Sequence, residues 1–304
     1  MEKFEINILG CGAALPTPKR LSSAQVVNIR GKQFMLDCAE GTQMALRKSH
    51  ITFSRLQAIF LTHLHGDHVF GLIGLLSTFG LLGRTKELHI YGPTDLQRLF
   101  QPQIDYFCAD SPYEIILHEI DTQVPQTIYE DRSLIISTLP LKHRVPCCGF
   151  LLREKPTSRH IIRDAIEAFQ IPLSQINNIK AGMDWTTPDG EIIPNHLLTT
   201  PPDPTRSYAY CTDTAYSPQL ATMLKDTTCI YHEATFANEH ALLARKTQHS
   251  TAIQAAEIAH AAQAQRLILG HFSSRYKSDS ILLKEAQQIF PNTILAEDGL
   301  KITL

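Results

Sequence analysis

The stretch THLHGDHVFG, residues 62–71, places three histidines and one aspartate within six positions. It follows the apolar run LQAIFL, which predicts a buried strand, so the four side chains fall on a tight loop at a strand end. Imidazoles suit zinc, and a carboxylate also tolerates manganese or magnesium. The spacing can direct His63 and His65 at one ion and Asp67 and His68 at a neighbouring ion. We therefore predict a metal site, against the alternative of a solvated histidine-rich loop.

Three further candidate ligands end apolar runs later in the chain. His143 ends SLIISTLPLKH, Asp213 ends RSYAYCTD and His271 ends RLILGH. Each is the first strong metal ligand after a predicted strand, where a site at the edge of a sheet collects its residues. A surface or core role is the alternative for each one alone. Together with the loop they form a set able to hold two metal ions around one shared carboxylate.

The order of apolar runs predicts a mixed α/β fold. Strand-like runs come first, as in FEINILG, SAQVVNI and QFMLDC, and strands then alternate with helices in each half. This order predicts two sheets packed between outer helices, in a single domain over residues 1–304. The run VFGLIGLLSTFGLL after the histidine loop predicts one buried helix, and NTILAEDGLKITL predicts a last strand. Residues 151–204 interrupt the pattern with a polar, proline-rich segment that carries the only tryptophan, Trp185. The sheet pattern resumes afterwards, so the segment is predicted to be an excursion from the core.

Composition limits the function classes. The formal net charge is −2 and the pI is about 6.7, so the totals show no basic footprint for nucleic acid, and any RNA-binding surface must be local. No apolar run approaches the roughly 20 residues that span a bilayer, and the N-terminal segment has no signal-peptide core. The seven cysteines are scattered without ligand-like spacing. We expect reduced thiols in a cytoplasmic protein with no membrane partner.

These motifs resemble the metallo-β-lactamase fold and, within it, the ribonuclease Z family of tRNA 3′-processing endonucleases. HLHGDH marks the superfamily, whereas HEAT with HST and a following GHFSSRY points to ribonuclease Z. The resemblance runs over almost the whole chain, through LGCGAALPTPKR, DCAEGTQ at 37–43, THLHGDHVFGLIGLL at 62–76, His143, YCTDT at 210–214, HEATF at 232–236, HST at 249–251 and GHFSSRY at 270–276.

The resemblance implies an αββα sandwich of two mixed β-sheets flanked by helices, with a protruding flexible arm at 151–204 that acts as an exosite. It implies two zinc ions per subunit, with manganese or magnesium as alternative ions. The expected ligands are His63, His65 and His143 for one ion, Asp67, His68 and His271 for the other, and Asp213 as the bridge.

The resemblance also implies catalytic roles. Asp67 is the expected proton acceptor for the attacking water. His249 is the expected proton donor to the leaving oxygen, and Glu233 is expected to orient it, since an acidic neighbour favours the imidazolium. The alternatives are a strand-end carboxylate for Glu233 and a cap of the helix that begins near Ser250 for His249. A structural role is expected for His232, and Asp37 is a candidate to orient a ligand histidine.

The arm departs from the family pattern. Its tip reads QIPLSQ at 170–175 without the usual Gly-Pro element, and Lys180 is what remains of the basic part. Lys180 and Arg275 are the candidate substrate contacts, because cationic side chains match phosphate. The expected function is a homodimeric, zinc-dependent endoribonuclease that removes the 3′ trailer from precursor tRNA and leaves a 3′-hydroxyl. The alternatives are a small-molecule phosphodiesterase or other metallo-hydrolase of the same fold, and a non-catalytic RNA-binding relative.

Overall fold

The computed structural model describes residues 2–304, in which runs of consecutive strands occur together with strands separated by helices. The strands are β1 (Phe4–Gly10), β2 (Ala24–Ile29), β3 (Lys32–Cys38), β4 (Leu56–Phe60), β5 (Leu88–Pro93), β6 (Ile115–Ile120), β7 (Thr127–Glu130), β8 (Leu134–Pro140), β9 (Cys148–Glu154), β10 (His160–Ile161), β11 (Trp185–Thr186), β12 (Ile192–Ile193), β13 (Thr199–Thr200), β14 (Ser207–Cys211), β15 (Cys229–Glu233), β16 (Arg266–Gly270), β17 (Thr293–Leu295) and β18 (Lys301–Thr303).

The helices are short, and several of them connect parallel strands. The α-helices are α1 (Thr42–Lys48), α2 (Gly66–Val69), α3 (Leu72–Leu81), α4 (Leu96–Phe107), α5 (Arg163–Ala168), α6 (Ile176–Lys180), α7 (Asn195–Leu198), α8 (Gln219–Met223), α9 (Ala241–Thr247), α10 (Ala252–Ala261) and α11 (Ser280–Gln287). Three 3₁₀ turns lie at Phe53–Arg55, Leu173–Gln175 and Asn238–His240. No helix within residues 2–304 combines the length and apolar character needed to cross a membrane.

Two seven-stranded mixed sheets form the core. Their strand orders are β18-β1-β2-β3-β4-β5-β6 and β17-β16-β15-β14-β9-β8-β7. In the first sheet β3 to β6 run parallel, and in the second β14 to β17 run parallel, while hairpin partners such as β1 and β2 are antiparallel. The sheets face one another across buried aromatic rings, for example Phe60 against Phe150 at 5.4 Å between centroids. The predicted αββα sandwich is confirmed.

Helices cover the outer face of each sheet. In the first half, buried side chains of α1, α3 and α4 pack with Ile59, Leu88 and Ile90 of the sheet. In the second half, α10 and α11 contact the strands β15 to β17. Helix α10 begins with a capping box, because the Thr251 hydroxyl accepts the Gln254 N–H and the Gln254 amide accepts the Thr251 N–H. The cap of this helix is therefore Thr251 and not His249.

Two elements differ from the sequence-based expectation. The apolar run after the histidine loop is not one helix, since α2 ends at Val69 and α3 starts at Leu72. The break lies at Gly71, where a Cβ atom would come 2.0 Å from the Ala39 carbonyl oxygen. The final run NTILAEDGLKITL is not one strand either. It forms β17 in the second sheet and β18 in the first, joined through a turn at Gly299 with φ of +87°.

The excursion forms a compact unit of its own. This unit comprises residues 154–205 together with residues 131–134. It contains the two small β-ladders β10–β13 and β11–β12 and the helices α5, α6 and α7. A separate small apolar core holds it together, formed by Ala165, Ile171, Ile179, Ile193 and Leu198. Its lower boundary lies close to the predicted residue 151, but β9 continues as a regular strand to Glu154.

Candidate metal centre

The polar residues of the centre lie where strands end. The loop from His63 follows β4, Asp213 follows β14 and His271 follows β16. Because parallel strands present their carboxyl ends at one edge of a sheet, side chains far apart in sequence meet there. His143 reaches the same place from the loop after β8.

The first group is a cluster of three imidazoles. His63 Nε2 lies 2.9 Å from His65 Nδ1, which lies 3.4 Å from His143 Nε2. Ring nitrogens that face one another this closely need a proton or a cation between them. Burial, together with the neighbouring imidazole of His68, holds the pKa of His63 well below its usual value. Its lone pair is therefore free for a metal ion at neutral pH.

The second group joins a carboxylate to two imidazoles. His68 Nε2 and His271 Nε2 lie 3.6 Å and 4.0 Å from Asp67 Oδ2. Both nitrogens are buried and make no aligned hydrogen bond, although they lie 3.1 Å and 3.2 Å from Asp213 Oδ2. Buried polar atoms without hydrogen bonds are rare, and a metal ion would satisfy both. The two buried nitrogens without hydrogen bonds are therefore the evidence that these residues suit a metal ion.

Asp213 stands between the two groups. Its Oδ1 lies 4.0 Å from His63 Nε2 and 3.8 Å from His143 Nε2, whereas its Oδ2 faces His68 and His271. The two oxygens of one carboxylate thus point to different imidazole groups. The structure brings together all seven residues predicted as ligands: His63, His65, Asp67, His68, His143, Asp213 and His271.

The outer ring nitrogens of these side chains are held in place. Asp37, fully buried at the end of β3, accepts a hydrogen bond from His68 Nδ1 at 2.8 Å. His271 Nδ1 lies 3.0 Å from the Thr235 hydroxyl, and His143 Nδ1 lies 3.3 Å from the Gln248 carbonyl oxygen. Such contacts fix the ring orientation and leave Nε2 for an ion.

The backbone around the centre is shaped to hold it. The Ala14 N–H donates to Asp67 Oδ2 at 2.9 Å, which ties the loop after β1 to the centre. Several positions have a left-handed conformation, since Asp37, Asp213, Gln248 and His271 have φ between 49° and 59°, and Ala14 has 56°. Non-glycine residues adopt this region at a cost, and such residues cluster at functional sites.

Glu233, which is fully buried, and His249, which is partly exposed, form an ion pair beside the two groups. Glu233 Oε1 lies 2.8 Å from His249 Nδ1 and also accepts the Thr214 N–H at 2.7 Å. Glu233 Oε2 accepts the Thr235 hydroxyl and the Ser250 N–H. Burial lowers the pKa of His249, but the adjacent Glu233 carboxylate outweighs burial and raises the pKa to about 9. The imidazole is therefore protonated at neutral pH and can donate a proton.

His249 has a second geometric possibility, since it also lies within ligand distance of His143 and Asp213. Its Nδ1 lies 2.8 Å from Glu233 Oε1 and 4.0 Å from Asp213 Oδ1, so the hydrogen bond to Glu233 is the closer of the two contacts. His232 is fully engaged inside the protein, where its Nδ1 contacts the Glu233 carbonyl oxygen at 2.7 Å. It is not among the residues that line the cavity over the centre.

A cavity of about 410 Å³ opens over the centre. Ser273 lines it, but Arg275 does not. The Arg275 guanidinium lies over the Phe236 ring at 5.0 Å, and its Nε donates to Ser273 Oγ. Lys180 lies at the end of α6 in the 154–205 unit.

Arg144, which sequence reasoning missed, lines the cavity directly. The only available signal was its position next to His143.

Comparisons with known proteins identify the fold and then the family. The metallo-β-lactamase fold protein YhfI from Bacillus subtilis superposes with a TM-score of 0.70 over all of both chains, at 18% identity. The short form of human tRNase Z superposes with a TM-score of 0.71 at 26% identity, covering 98% of each chain. A ribonuclease Z of Bacteroides thetaiotaomicron is 53% identical over the whole chain and 96% of its own length. Residues 4–102 match the family model of the anti-Pycsar protein Apyc1.

The fold and the centre define a hydrolytic enzyme of the metallo-β-lactamase fold that binds divalent metal. Within that class, the chain belongs to the ribonuclease Z family.

Proposed function

We propose that this chain is a metal-dependent endoribonuclease that removes the 3′ trailer from precursor tRNA and leaves a 3′-hydroxyl on the tRNA. The family supports the class of reaction. The observation that carries the proposal is the position of Asp213, whose two oxygens face two separate groups of ligand-type side chains. Many nucleases and phosphatases use such a pair of metal sites for in-line displacement at phosphorus, in which an attacking oxygen replaces a leaving oxygen.

We assign two zinc ions to the centre, with the seven clustered side chains as ligands. The assignment rests on the donor set, because five imidazoles and two carboxylates match zinc better than magnesium. His63, His65 and His143 would hold one ion, Asp67, His68 and His271 the other, and Asp213 both. When bound, such ions lower the pKa of a water molecule and stabilise negative charge on a phosphate.

The chain's own residues would move the protons. Asp67 would accept a proton from the water that attacks phosphorus. The bond from phosphorus to the 3′ oxygen of the tRNA then breaks, and the trailer leaves with a 5′-phosphate. His249 would give its proton to that 3′ oxygen, held in place by Glu233. Arg144 lines the same cavity and is the better candidate than Arg275 for a phosphate contact.

We further propose that the unit over residues 154–205 holds the body of the tRNA, with Lys180 among its contacts, and that the enzyme acts as a cytoplasmic homodimer. A separate core supports the view that this unit is built as a module. All seven cysteines are buried and unpaired, as suits a reducing compartment.

The direct test is cleavage of a 3′-extended precursor tRNA by the metal-loaded protein, with Asp67→Ala as the inactive control. We expect one cut next to the discriminator base, abolished in the variant. Bis(p-nitrophenyl) phosphate is assayed in parallel. Hydrolysis of this small diester without any cut in tRNA would overturn the proposal and favour a phosphodiesterase, the alternative suggested by the arm tip at 170–175, which lacks Gly-Pro.

A further inference from the structure

A second cavity, of about 490 Å³, lies beside the loop that follows β1. Lys19 comes from that loop, Lys48 from the end of α1 and Lys301 from the start of β18, and all three line the cavity. Three separate segments of the chain therefore bring positive charge to one concave surface. The volume is in the range of sites that bind small ligands or nucleotides.

The positive charge of this cavity is not balanced inside the protein. Within residues 2–304, none of these three lysines forms an ion pair, although the cavity wall includes the carboxylate of Asp298. Asp298 offsets only one of the three lysine charges, and its carboxylate is held in place, since its Oδ2 accepts the Leu21 N–H at 2.7 Å and its Oδ1 lies 3.4 Å from the Cys11 sulfur. In a chain of net charge −2, such a local excess of cations attracts an anionic partner.

Two of the three lysines have an ordinary structural explanation when each is taken alone. Lys48 lies in the last turn of α1, where a cation complements the helix dipole. Lys301 lies on β18, an edge strand of the first sheet, where lysines discourage pairing with other chains. Neither explanation requires the side chains to converge on one cavity with Lys19, and that convergence points to a ligand.

A third cavity, of about 330 Å³, shares lining residues with both the lysine-lined cavity and the cavity over the metal centre. Lys19 and Arg20 line both the lysine-lined cavity and this third cavity. Leu15 and Ser274 line both the third cavity and the cavity over the metal centre. The three cavities thus follow one another along the loop over residues 13–20, whose Ala14 N–H holds Asp67.

We propose that the lysine-lined cavity, none of whose lining residues belongs to the 154–205 unit, binds the phosphodiester backbone of the RNA substrate. This inference rests on the proposed function, because it assumes an RNA cut at the metal centre. A polyanion that lies across the loop over residues 13–20 would have its phosphates neutralised by Lys19, Lys48 and Lys301. Lysine contacts to phosphate add affinity without selecting a base sequence.

The test compares two triple variants of the full-length, metal-loaded enzyme. One replaces Lys19, Lys48 and Lys301 with glutamine. The matched control makes the same replacement at three exposed lysines that line none of the three cavities, Lys86, Lys225 and Lys284. The net charge of both variants therefore changes equally. KM for precursor tRNA is measured at salt concentrations from about 50 to about 200 mM.

We expect KM of the cavity variant to rise about tenfold. The slope of log KM against log salt concentration should fall by about 2–3, because each lysine that no longer neutralises a phosphate removes roughly one from the slope. The control variant should keep the wild-type values. Metal content and thermal melting of both variants establish that they fold. Equal KM and equal salt slope in the two variants would overturn the inference, whereas a wild-type enzyme that cuts no tRNA would overturn the proposed function itself.

Two parts of the substrate can supply these phosphates, and trailer length separates them. If trailer phosphates occupy the cavity, the rise in KM appears with a long trailer and disappears with a very short one. If the tRNA body occupies it, the rise is the same for both, and binding of mature tRNA weakens equally. Both results support a backbone site in this cavity and identify its occupant.

Discussion

Two buried carboxylates, one from each sheet, orient histidines at the centre. Asp37 at the end of β3 and Glu233 at the end of β15 are both fully buried, and each accepts a hydrogen bond from a histidine Nδ1 at 2.8 Å. Asp37 also accepts the Thr62 N–H, and Glu233 accepts the N–H groups of Thr214 and Ser250, so protein donors stabilise both negative charges. In both cases the carboxylate positions the imidazole.

The two carboxylates differ in what their histidines face. His68 is fully buried, and its Nε2 points into the metal-ligand cluster. His249 is partly exposed and lines the cavity over the centre. In the mechanism that we propose, the same hydrogen bond from a buried carboxylate orients a metal ligand in His68 and a proton donor in His249, and the position of each ring relative to the cavity decides its role. The following predictions test this distinction.

The largest effect is expected for Asp213→Asn. The Asp213 carboxylate lies near both histidines of the comparison, 3.1 Å from His68 Nε2 and 4.0 Å from His249 Nδ1. Metal-assisted charge stabilisation is worth several kcal/mol, so we expect tRNA cleavage to fall by about 10³- to 10⁴-fold. Metal content, measured by mass spectrometry, should fall as well. The control is Asp110→Asn, an exposed aspartate after α4. A variant with full metal content and activity would show that Asp213 does not join the two groups.

A smaller effect is expected for His249→Ala. Removal of a general acid should lower kcat by about 10²- to 10³-fold, while the metal content remains that of the wild type. His68→Ala is the matched variant and should bind less metal. A reduced metal content in His249→Ala would contradict the distinction, because it would make His249 a ligand alongside His143 and Asp213.

The carboxylates themselves provide the next test. Asp37→Asn should weaken metal affinity by about 10- to 100-fold, as for other residues that orient a metal ligand. Glu233→Gln should leave metal affinity within a few-fold of the wild type and lower kcat. Titration with a competing chelator measures the first quantity, and single-turnover cleavage measures the second. An equal decrease of metal affinity in both variants would mean that the two carboxylates have the same role.

The smallest effect is expected for Arg20→Ala, which acts on the loop that holds Asp67. The Arg20 guanidinium pairs with Asp279 at 2.5 Å and lies 4.8 Å from the Phe272 ring, next to His271. A partly exposed ion pair and a cation–π contact are each worth about 0.5–1 kcal/mol. We therefore expect a fall of several-fold in kcat/KM, with normal metal content. An unchanged kcat/KM would show that the loop holds its place without Arg20.

Much of the centre is visible in the sequence because its residues carry local signals. THLHGDH is contiguous in the sequence. His143, Asp213 and His271 each come shortly after an apolar run, and each of these runs forms a strand. The alternation of strand and helix predicts the sandwich for the same reason, since side-chain periodicity is a property of neighbouring residues. The prediction of one long helix after the loop was wrong. The helix is interrupted at Gly71, whose backbone packs against Ala39, and a contact between residues so far apart in the sequence leaves no local signal.

The sequence by itself thus determined the kinds of candidate ligand, the strand ends that carry them and the family resemblance. Only the tertiary structure decided that Asp213 directs one oxygen to each group, that Ala14 holds Asp67 through its backbone, and that Arg144 lines the cavity. It also decided that three lysines meet in one cavity. The physical reason is that these contacts depend on how two sheets and their connecting loops pack, and such packing leaves no periodic pattern in the chain.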